Sequence, residues 1–381
     1  MLEKRKILIV GGGIGGLASA IALRRQGMDA EVYEQANELR EIGAGLSVWP
    51  NATWVLEKFA LLPRAIERGS RLQRVRLQTS QGKMLAATTA VAGRRTPSLG
   101  MHRVELLALL NEALPSSSIF LGMRFRTLEE SREKISALFD NGHRAEGDAL
   151  IGADGLYSRV RETILGAAAP TYRGYQAWRG VSNFPLPENL RATTCETWGA
   201  GSRFGFGPIG ASRSFWYATK NAPEGTLGDP VNWKAEVARV FRGWPAPISE
   251  IVEATPDSSV LKHEIFDRPP RRQLGQGRAT LLGDAGNPTT PNLGQGACLA
   301  LEDAYVLAEC LSNSGDMPEA LREYETRRYA RRRFITYESR RIGWLGQRES
   351  APGVALRNLL VAMTSGIAAN LQHRRYYAFL E

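Results

Sequence analysis

The stretch ILIVGGGIGGLASAIALRRQGMDAEVYE, residues 7–34, contains in turn a strand, a glycine-rich turn, a helix and a second strand. The apolar run Ile7–Val10 is typical of a strand buried on both faces. Gly11, Gly13 and Gly16 have the spacing G-x-G-x-x-G. In such a turn the first glycine permits the tight bend, the second lets a pyrophosphate approach the backbone, and the third lets helix and strand pack closely. The stretch therefore predicts a dinucleotide site.

A carboxylate at the end of the second strand supports this prediction. Glu34 closes the run Asp29–Glu34, where the acid of a βαβ unit accepts hydrogen bonds from an adenosine ribose. The start of the intervening helix adds amide N–H groups that can face phosphates. Together these residues favour dinucleotide binding over a purely structural turn. They leave the choice between FAD and NAD open.

Composition and cysteine usage limit the class of protein. The 381 residues suit about two or three ordinary domains, and the 43% hydrophobic content is ample for a core. Cys195, Cys298 and Cys310 are scattered without metal-ligand spacing, so we expect a reducing, cytoplasmic compartment and no metal site. The first apolar run is too short for a signal peptide, and no stretch approaches the ~20 apolar residues of a membrane span.

The formal net charge of +10 raises the question of a nucleic-acid partner. Much of the basic excess lies between Arg322 and Arg341, without a nucleic-acid-binding motif around it. We therefore expect no nucleic-acid partner and interpret this run as a charged surface helix that covers the cofactor domain. Attraction of acidic substrates or NADPH by the overall field is the alternative.

Two later strands also lead into turns that combine glycine with a carboxylate. The apolar run 148–153 leads into Asp154-Gly155, and the run 277–282 leads into Gly283-Asp284. The carboxylate of Asp154 can hold a ribose hydroxyl or a water molecule. The loop after Gly283-Asp284 leads into a long helix that opens at residues 292–296. The N-terminal amides of this helix form a second end that can bind phosphate or oxygen.

The middle of the chain, residues 172–263, has aromatic-rich runs separated by glycine and proline, which predict an antiparallel sheet. A hairpin at 72–87 begins this second sheet. The sheet can form one wall of an apolar pocket, although alternation lets only about half of its aromatic residues face inward. These aromatic residues are Trp178, Trp198, Phe204, Phe206, Phe215, Trp216 and Tyr217.

The three turns, in this order, resemble the single-component, group A FAD-dependent aromatic monooxygenases. The resemblance extends to about residue 340 and includes Pro291 and the Gly294-Gln295-Gly296 run. The motif set is similar to that of FAD-dependent urate hydroxylase, salicylate hydroxylase and 6-hydroxynicotinate 3-monooxygenase. The run Leu46–Asn51 and the Gly-Asp-Ala…Thr-Thr-Pro…Gly-Gln-Gly segment at 283–296 resemble the urate hydroxylase branch in particular.

The resemblance implies an α/β fold with a Rossmann-like, glutathione-reductase-type FAD-binding domain, an inserted antiparallel β-sheet substrate domain and C-terminal helices. The FAD-binding domain is expected at 1–71, 96–170 and 270–330. The substrate domain is expected at 72–95 and 171–269, and a C-terminal helical segment at 331–381.

The same resemblance implies a set of FAD-binding residues. They are Gly11, Gly13, Gly15, Gly16, Glu34, Gln35, Arg40, Gly45, Arg103, Asp154, Gly155, Asp284, Pro291, Gly294, Gln295 and Gly296. The glycine turn and Glu34 are expected at the ADP half, Arg103 at the pyrophosphate or ribityl chain, and Asp284 at the ribityl chain. Pro291 and the loop after it are expected at the isoalloxazine ring.

The implied reaction begins with reduction of FAD by NAD(P)H. Molecular oxygen then forms a flavin C4a-hydroperoxide that hydroxylates an aromatic or heteroaromatic small molecule. Two alternatives stay open: an epoxidase or other flavin oxidoreductase on the same scaffold, and a flavin-binding module without catalysis. A monomer and a homodimer are both compatible with the sequence.

One position departs from the urate-hydroxylase pattern. That branch has an acid after the proline, which acts with a nearby arginine, whereas this chain has Asn292, which cannot remove a proton. Arg203 matches the arginine, and Tyr217 lies near a tyrosine of that branch. We expect Arg203, Tyr217 and Asn292 at the reacting end of the site. The common histidine of the Gly-Asp-Ala loop is replaced by Asn287, which we interpret as a loop cap.

Overall fold

The computed structural model describes residues 5–39, 44–89, 95–210, 212–364 and 375–377. Its strands are β1 (Lys6–Val10), β2 (Asp29–Tyr33), β3 (Gly45–Val48), β4 (Ser70–Leu72), β5 (Arg74–Thr79), β6 (Met84–Thr88), β7 (Ser98–His102), β8 (Ile119–Phe120), β9 (Phe125–Glu130), β10 (Ile135–Phe139), β11 (Arg144–Gly147), β12 (Ala149–Gly152), β13 (Thr171–Ser182), β14 (Thr193–Trp198), β15 (Ser202–Ile209), β16 (Arg213–Asn221), β17 (Leu261–Asp267) and β18 (Ala279–Leu281).

The helices follow the long amphipathic and apolar runs of the sequence. They are α1 (Ile14–Arg25), α2 (Pro50–Lys58), α3 (Leu62–Arg68), α4 (Arg103–Asn111), α5 (Arg159–Leu165), α6 (Trp233–Val240), α7 (Ile248–Glu253), α8 (Gly296–Asn313), α9 (Met317–Gly346) and α10 (Ala351–Thr364). Short 3-10 helices lie at Ser116–Ser118, Glu188–Leu190, Pro230–Asn232, Asp257–Ser259, Gly283–Ala285 and Pro291–Leu293.

Contacts divide the chain into two compact units. Unit 1 comprises Met1–Glu41, Leu106–Thr171 and Phe266–Glu338, and unit 2 comprises Ile42–Glu105, Tyr172–Ile265 and Ser339–Glu381. Residues 42–71 and 96–105 fall in unit 2, although the sequence analysis assigns them to the FAD-binding domain. The functional division into an FAD-binding and a substrate domain stays a prediction.

Unit 1 is built around a parallel sheet of order β18-β12-β1-β2-β8. The middle of β1, Ile7–Ile9, has no exposed surface, as expected for a parallel strand covered on both faces. Helix α1 packs against α8. Because parallel strands end at the same edge, the turns that follow β1, β12 and β18 lie at one edge of the sheet.

A second sheet of unit 1, of order β11-β10-β9, is antiparallel. Its Phe139 shares a core cluster with the parallel sheet and stacks on Tyr33, with ring centroids 4.8 Å apart. Ile135, Ala137 and Phe139 of β10 all lie in this buried cluster.

Unit 2 contains a seven-stranded sheet of order β17-β13-β16-β15-β14-β5-β6. Strands β13, β16, β15 and β14 run antiparallel to one another, as do β5 and β6, whereas β14 and β5 are parallel. The predicted fold class, a Rossmann-like domain combined with a largely antiparallel sheet and C-terminal helices, is confirmed.

The two faces of the seven-stranded sheet differ in chemistry. Cross-strand partners place Trp178, Phe204 and Trp216 on one face, where they form an apolar core with residues of α6 and α7. The opposite face, here called the polar face, carries side chains that can form hydrogen bonds or ion pairs. These are Arg179, Glu196, Arg203, Tyr217, Thr219 and Asn221.

A small antiparallel sheet of order β3-β7-β4 completes unit 2. The backbones of β7 and β15 approach so closely that a Cβ added to Gly100 would lie 2.1 Å from the carbonyl oxygen of Pro208. Only glycine permits this approach.

The arginine-rich run of α9 is partly buried. Arg328 is 3% exposed, and its side chain donates to Glu302 and Asp303 of α8 at 2.5 Å each. Arg331 donates to Glu302 at 2.9 Å. Burial alone would lower the pKa of Arg328, but the Asp303 and Glu302 carboxylates raise it above its ordinary value. The expectation of a charged surface helix is therefore wrong for Arg328, because its charge is neutralised inside unit 1.

Candidate functional site

The glycine turn between β1 and α1 requires glycine at specific positions. A Cβ on Gly11, whose φ is +110°, would lie 2.4 Å from the carbonyl oxygen of Ala153, and a Cβ on Gly16 would lie 1.9 Å from that of Gly11. Gly15 meets Leu282 in the same way, at 2.7 Å. The turn therefore contacts both of the strand ends that carry the other two turns.

Gly13 differs from these glycines, because a Cβ added there would meet nothing within 4 Å. Gly13 is the N-cap residue of α1, and no side chain caps this helix end. The amides of the first turn of α1 are therefore available to an external acceptor, as in helix ends that bind phosphate.

Glu34 is held at the end of β2 by backbone amides. Its Oε2 accepts from Gly12 N at 2.6 Å and its Oε1 from Ala36 N at 2.9 Å. Each carboxylate oxygen can accept a further hydrogen bond, so Glu34 can still receive a ribose hydroxyl.

The Asp154-Gly155 turn lies next to the glycine turn. Asp154 Oδ1 accepts from Ser158 Oγ at 2.5 Å, and Oδ2 accepts from the amides of Arg159 and Val160 at 2.8 and 3.2 Å. The carboxylate thus caps α5. Burial raises the pKa of Asp154, and these hydrogen bonds oppose the rise. Gly155 has a φ of +83°.

Arg161 links the second turn to the third, a contact that the sequence analysis missed. This residue of α5 is 5% exposed and donates to the carbonyl oxygens of Ala285 and Gly286 at 3.0 and 3.1 Å. Burial, together with the charges of Arg268 and Arg271, lowers the pKa of Arg161 to about 10. Asp284 is exposed in the 3-10 helix Gly283–Ala285 beside this contact.

A cleft of about 200 Å³ opens at the first two turns. It is lined by Val10, Gly11, Gly13, Tyr33, Glu34, Gln35, Met123, Phe125, Ala153, Asp154, Gly155, Tyr157 and Arg159. Pockets for drug-sized ligands measure about 300–1,000 Å³, so this cleft has room for one part of a dinucleotide. Six of the predicted cofactor residues line it, and Asp284 and the loop at 291–296 do not.

The loop before α8 begins with the 3-10 helix Pro291–Leu293 and ends at Gly294, which has a φ of +60°. Asn292 Nδ2 donates to Thr290 Oγ1 at 2.9 Å. Gln295 is the N-cap residue of α8 and is fully buried, and its side chain does not cap the helix. Gly296 is the first residue of α8.

Asn287, which replaces the usual histidine, lies in the same segment. Its Nδ2 donates to Thr336 Oγ1 of α9 at 3.0 Å, and its backbone N–H donates to Gly283 at 2.8 Å. The side chain therefore fixes the loop to α9, although the sequence analysis interprets it as a local cap.

Three further predicted cofactor residues belong to the segment 40–105. Arg40 lies outside the described residues. Gly45 pairs with His102, and a Cβ on Gly45 would lie 2.0 Å from Cβ of Phe215 within unit 2. The backbone N–H of Arg103, an exposed residue at the start of α4, donates to Ala44 at 3.1 Å.

The polar face of unit 2 brings Tyr217 and Glu196 together across a glycine. Gly205 of β15 is the cross-strand partner of Tyr217 on one side and of Glu196 on the other. A Cβ on Gly205 would lie 2.2 Å from Cζ and 2.5 Å from the hydroxyl of Tyr217, so the ring lies over this glycine. The ring of Tyr217 therefore extends across Gly205 toward Glu196.

Arg203 lies on the same face of the sheet and is 1% exposed. Its Nε donates to Gln347 Oε1 at 2.8 Å, and its Nη1 lies 3.3 Å from Glu196 Oε1. Gln347 Oε1 also accepts from Thr219 Oγ1 at 2.9 Å. Burial raises the pKa of Tyr217 well above its ordinary value; Glu196 adds to the rise and Arg203 opposes it.

Comparison with known proteins identifies the family of this chain. Residues 4–338 match the model of the family described as FAD binding domain. The chain belongs to this family. Its relatives identify it as a group A flavin monooxygenase. The predicted family, the FAD cofactor and the FAD-dependent monooxygenase activity are therefore confirmed.

Two relatives match most of this flavoprotein. Aurachin C monooxygenase/isomerase of Stigmatella aurantiaca is 38% identical over 98% of both chains. FAD-dependent urate hydroxylase of Klebsiella pneumoniae is 34% identical over 88% of this chain and 89% of its own. The solved structure of Klebsiella pneumoniae HpxO complexed with FAD and uric acid has a TM-score of 0.90 and 29% identity, and the match covers 98% of this chain and 96% of HpxO.

The residues of unit 1 fit the ADP half of FAD. Packing within the protein requires glycine at positions 11 and 16 but leaves open space at Gly13, where a pyrophosphate would need close access to the backbone. Glu34 lines the same cleft and has acceptor capacity left for a ribose.

Over the described ranges, no group of three or more His, Cys, Asp or Glu side chains could hold a metal ion. The part of the chain that the structure describes also contains no helix long and apolar enough to cross a membrane.

Proposed function

We propose that this flavoprotein uses NAD(P)H and molecular oxygen to hydroxylate an aromatic or heteroaromatic small molecule. The observation that carries the proposal is the polar face of unit 2, where Arg203 pairs with Glu196 and the ring of Tyr217 lies across Gly205 from Glu196. A few polar groups on an otherwise aromatic-rich sheet are typical of a small-molecule site.

FAD, when bound, supplies the electron transfer and oxygen chemistry, and the protein supplies orientation and exclusion of water. We assign the ADP half of FAD to the cleft residues of unit 1. The other predicted residues also stay proposals: Gly15 and Gly16 of the glycine turn for the ADP half, and Arg40, Gly45, Arg103, Asp284, Pro291, Gly294, Gln295 and Gly296 for the rest of the cofactor.

Urate itself is a poor candidate, because position 292 lacks a proton acceptor. Asn292 is an amide whose Nδ2 is bound to Thr290. Amide groups do not remove protons at ordinary pH, so any base that activates the substrate must lie elsewhere. We therefore propose a hydroxylated or carbonyl-bearing aromatic compound that Tyr217 and Arg203 help to orient.

Two alternatives stay open: an epoxidase or other flavin oxidoreductase on the same scaffold, and a flavin-binding module without catalysis. The absence of nucleic-acid partners, the cytoplasmic location and a monomeric or homodimeric state are three further proposals.

The test is a ligand screen on the FAD-loaded protein. We expect aromatic hydroxyl compounds to stimulate NAD(P)H oxidation with equal oxygen uptake and to yield a product with one added oxygen atom. Olefins that yield epoxides instead would favour the epoxidase. Tight FAD binding without reduction by NADH or NADPH, whichever ligand is present, would favour the binding module.

A further inference from the structure

We propose that the outward side of α10 is a docking surface for an anionic lipid bilayer, to which the protein binds peripherally. The inference concerns a surface of unit 2 and does not depend on which compound is hydroxylated. Four large apolar side chains of α10 define this surface, here called the α10 face. They are Leu356, Leu359, Leu360 and Met363.

The four side chains form one stripe along the helix. Their spacing of i, i+3, i+4 and i+7 places them on the same side of an α-helix. Each of them is between 49 and 74% exposed. Single apolar residues on a surface are ordinary, whereas a contiguous exposed apolar patch marks an interaction site.

The only charged residue of α10 is turned inward. Arg357 is 1% exposed and donates from Nη1 to the carbonyl oxygens of Gly199 and Gly346 at 3.1 and 3.0 Å. Its guanidinium lies 5.3 Å from the ring centroid of Trp198. The charge of α10 is therefore inside and its large apolar residues are outside, the reverse of a helix whose outer side contacts only water.

Neighbouring elements of unit 2 add to the apolar surface. Helix α10 packs beside β6, the edge strand of the seven-stranded sheet, and Met84 of β6 is 47% exposed. Trp344, in the last turn of α9, is 62% exposed, and the guanidinium of Arg348 lies over its ring. Tryptophan is enriched at the headgroup level of membranes, where its ring has both apolar and polar surroundings.

The segments that contribute to this surface are basic. Residues 350–380 contain three Arg and no Asp or Glu, and residues 69–104 contain seven Lys or Arg and no Asp or Glu. The second range includes β5 and β6, and Lys83 is exposed immediately before β6. Glu349, just before α10, accepts from Asn221 Nδ2 at 3.1 Å. Lys and Arg side chains near an anionic leaflet are attracted to it, so the charge complements such a bilayer.

The same charges disfavour a second copy of this chain as the occupant. A two-fold contact places the same patch on itself, so the basic residues around the α10 face would oppose one another. A stable dimer also buries about 800 Å² on each partner, more than four half-exposed side chains supply. An anionic bilayer satisfies both the apolar stripe and the basic surroundings.

The first experiment measures sedimentation of the FAD-loaded protein with vesicles. These contain phosphatidylcholine alone or phosphatidylcholine and phosphatidylglycerol in equal parts. We expect binding to the mixed vesicles that weakens as the salt concentration rises. Leu356→Ser/Leu360→Ser should bind about tenfold more weakly, because two apolar side chains no longer enter the bilayer. The control Val231→Ser changes an apolar residue that is 76% exposed elsewhere in unit 2, and it should bind like the wild type.

Lys83→Gln tests the electrostatic part of the interaction. The loss of one cation near the surface should lower the affinity for mixed vesicles about fivefold. Lys83→Arg is the matched control, because it keeps the charge and should bind like the wild type.

A fluorescent label tests which surface enters the bilayer. Cys195, Cys298 and Cys310 are buried, so a cysteine introduced at an exposed position can be labelled selectively. An environment-sensitive fluorophore on Met363→Cys should shift its emission to shorter wavelength when mixed vesicles are added. The same label on Val231→Cys should not shift, although the two positions are almost equally exposed.

Several results would overturn the inference. These are failure of the wild type to bind mixed vesicles, wild-type binding by Leu356→Ser/Leu360→Ser, and equal emission shifts from the two labels. A homodimer that Leu356→Ser/Leu360→Ser converts to a monomer, measured by light scattering, would also overturn it and would assign the α10 face to a second copy. FAD content and thermal unfolding confirm that each variant is folded, since changes at these exposed positions should leave both unchanged.

Discussion

The cleft of unit 1 and the polar face of unit 2 are built from different kinds of atoms. In the cleft, backbone groups supply most of the geometry: Gly11 and Gly16 allow close approach, and Glu34 is positioned by two amides. On the polar face, side chains position one another, as Gln347 and Glu196 do with Arg203.

This difference bears on how each region could change. A site made from backbone groups tolerates many sequences as long as its glycines are kept, so it suits a cofactor shared by a family. A site made from interlocking side chains changes its ligand preference when one residue changes. We therefore expect variants in the first region to affect FAD binding and variants in the second to affect substrate use.

The largest effect is expected from Gly16→Ala in the glycine turn. The added Cβ would lie 1.9 Å from the carbonyl oxygen of Gly11, a clash with backbone that cannot move aside easily. We expect the purified variant to contain essentially no FAD and to unfold at a lower temperature. Gly315→Ala is the control, because a Cβ there meets nothing within 4 Å.

Gly13→Ala separates the role of the cofactor from that of packing. Because open space surrounds Gly13, we expect unchanged thermal unfolding of the FAD-free protein but weaker FAD binding, measured by quenching of flavin fluorescence. Wild-type affinity for FAD in this variant would show that the pyrophosphate does not approach Gly13.

A large loss of stability is expected from Arg328→Met in unit 1. The change would leave the buried Glu302 and Asp303 carboxylates with fewer partners, which costs about 3–5 kcal/mol in free energy of unfolding. Urea unfolding measures this loss. The matched control Arg144→Met breaks an exposed pair with Glu129 and should cost less than ~1 kcal/mol. Equal losses would mean that burial of the pair does not matter.

Arg203→Ala tests the polar face. Because Arg203 contacts Glu196 and Gln347, its loss should misplace the groups that orient the substrate and lower kcat/KM about 100-fold. FAD retention, measured from the flavin content after gel filtration, should change far less. Arg203→Lys keeps the charge but loses the planar guanidinium. Its kcat/KM should therefore lie between those of the wild type and Arg203→Ala. Unchanged kinetics would exclude Arg203 from the site.

The smallest effect concerns pH. Burial and the nearby Arg179 lower the pKa of His263 on β17 to about 3. The unfolded chain, with a histidine pKa of ~6.5, then binds more protons, so stability is complete above ~6.5 and is lost as the pH falls toward 3. We expect a loss of about 1–2 kcal/mol between pH 7 and 5 that His263→Asn largely removes. The same pH dependence in both proteins would contradict this.

The sequence predicts unit 1 best where the pattern is local. The glycine spacing at 11–16 and the apolar runs that form β1 and α8 are determined by neighbouring residues, so they can be interpreted without the fold. Strands β9 (FRTLEE) and β11 (RAEG) escape prediction because neither contains an apolar run or a regular alternation. Arg328 is misjudged, since its carboxylate partners on α8 lie 25 and 26 positions away in the sequence.

The polar face is predicted only in part. Arg203 and Tyr217 are found by resemblance, but Glu196 and Gln347 carry no local signal. Their roles depend on the register between β14, β15 and β16 and on the residue that follows α9. Register is set by the whole sheet and cannot be inferred from any one strand.

Strand β15 has two glycines on the polar face, and each underlies an aromatic ring. Gly205 lies under Tyr217, and a Cβ on Gly207 would lie 2.8 Å from the ring of Phe215. The space above Gly205 and Gly207 therefore depends on the tilt of the Tyr217 and Phe215 rings. It can change without a rearrangement of the main chain. A small library that varies only positions 215 and 217 would be an economical route to variants that accept ligands of other shapes.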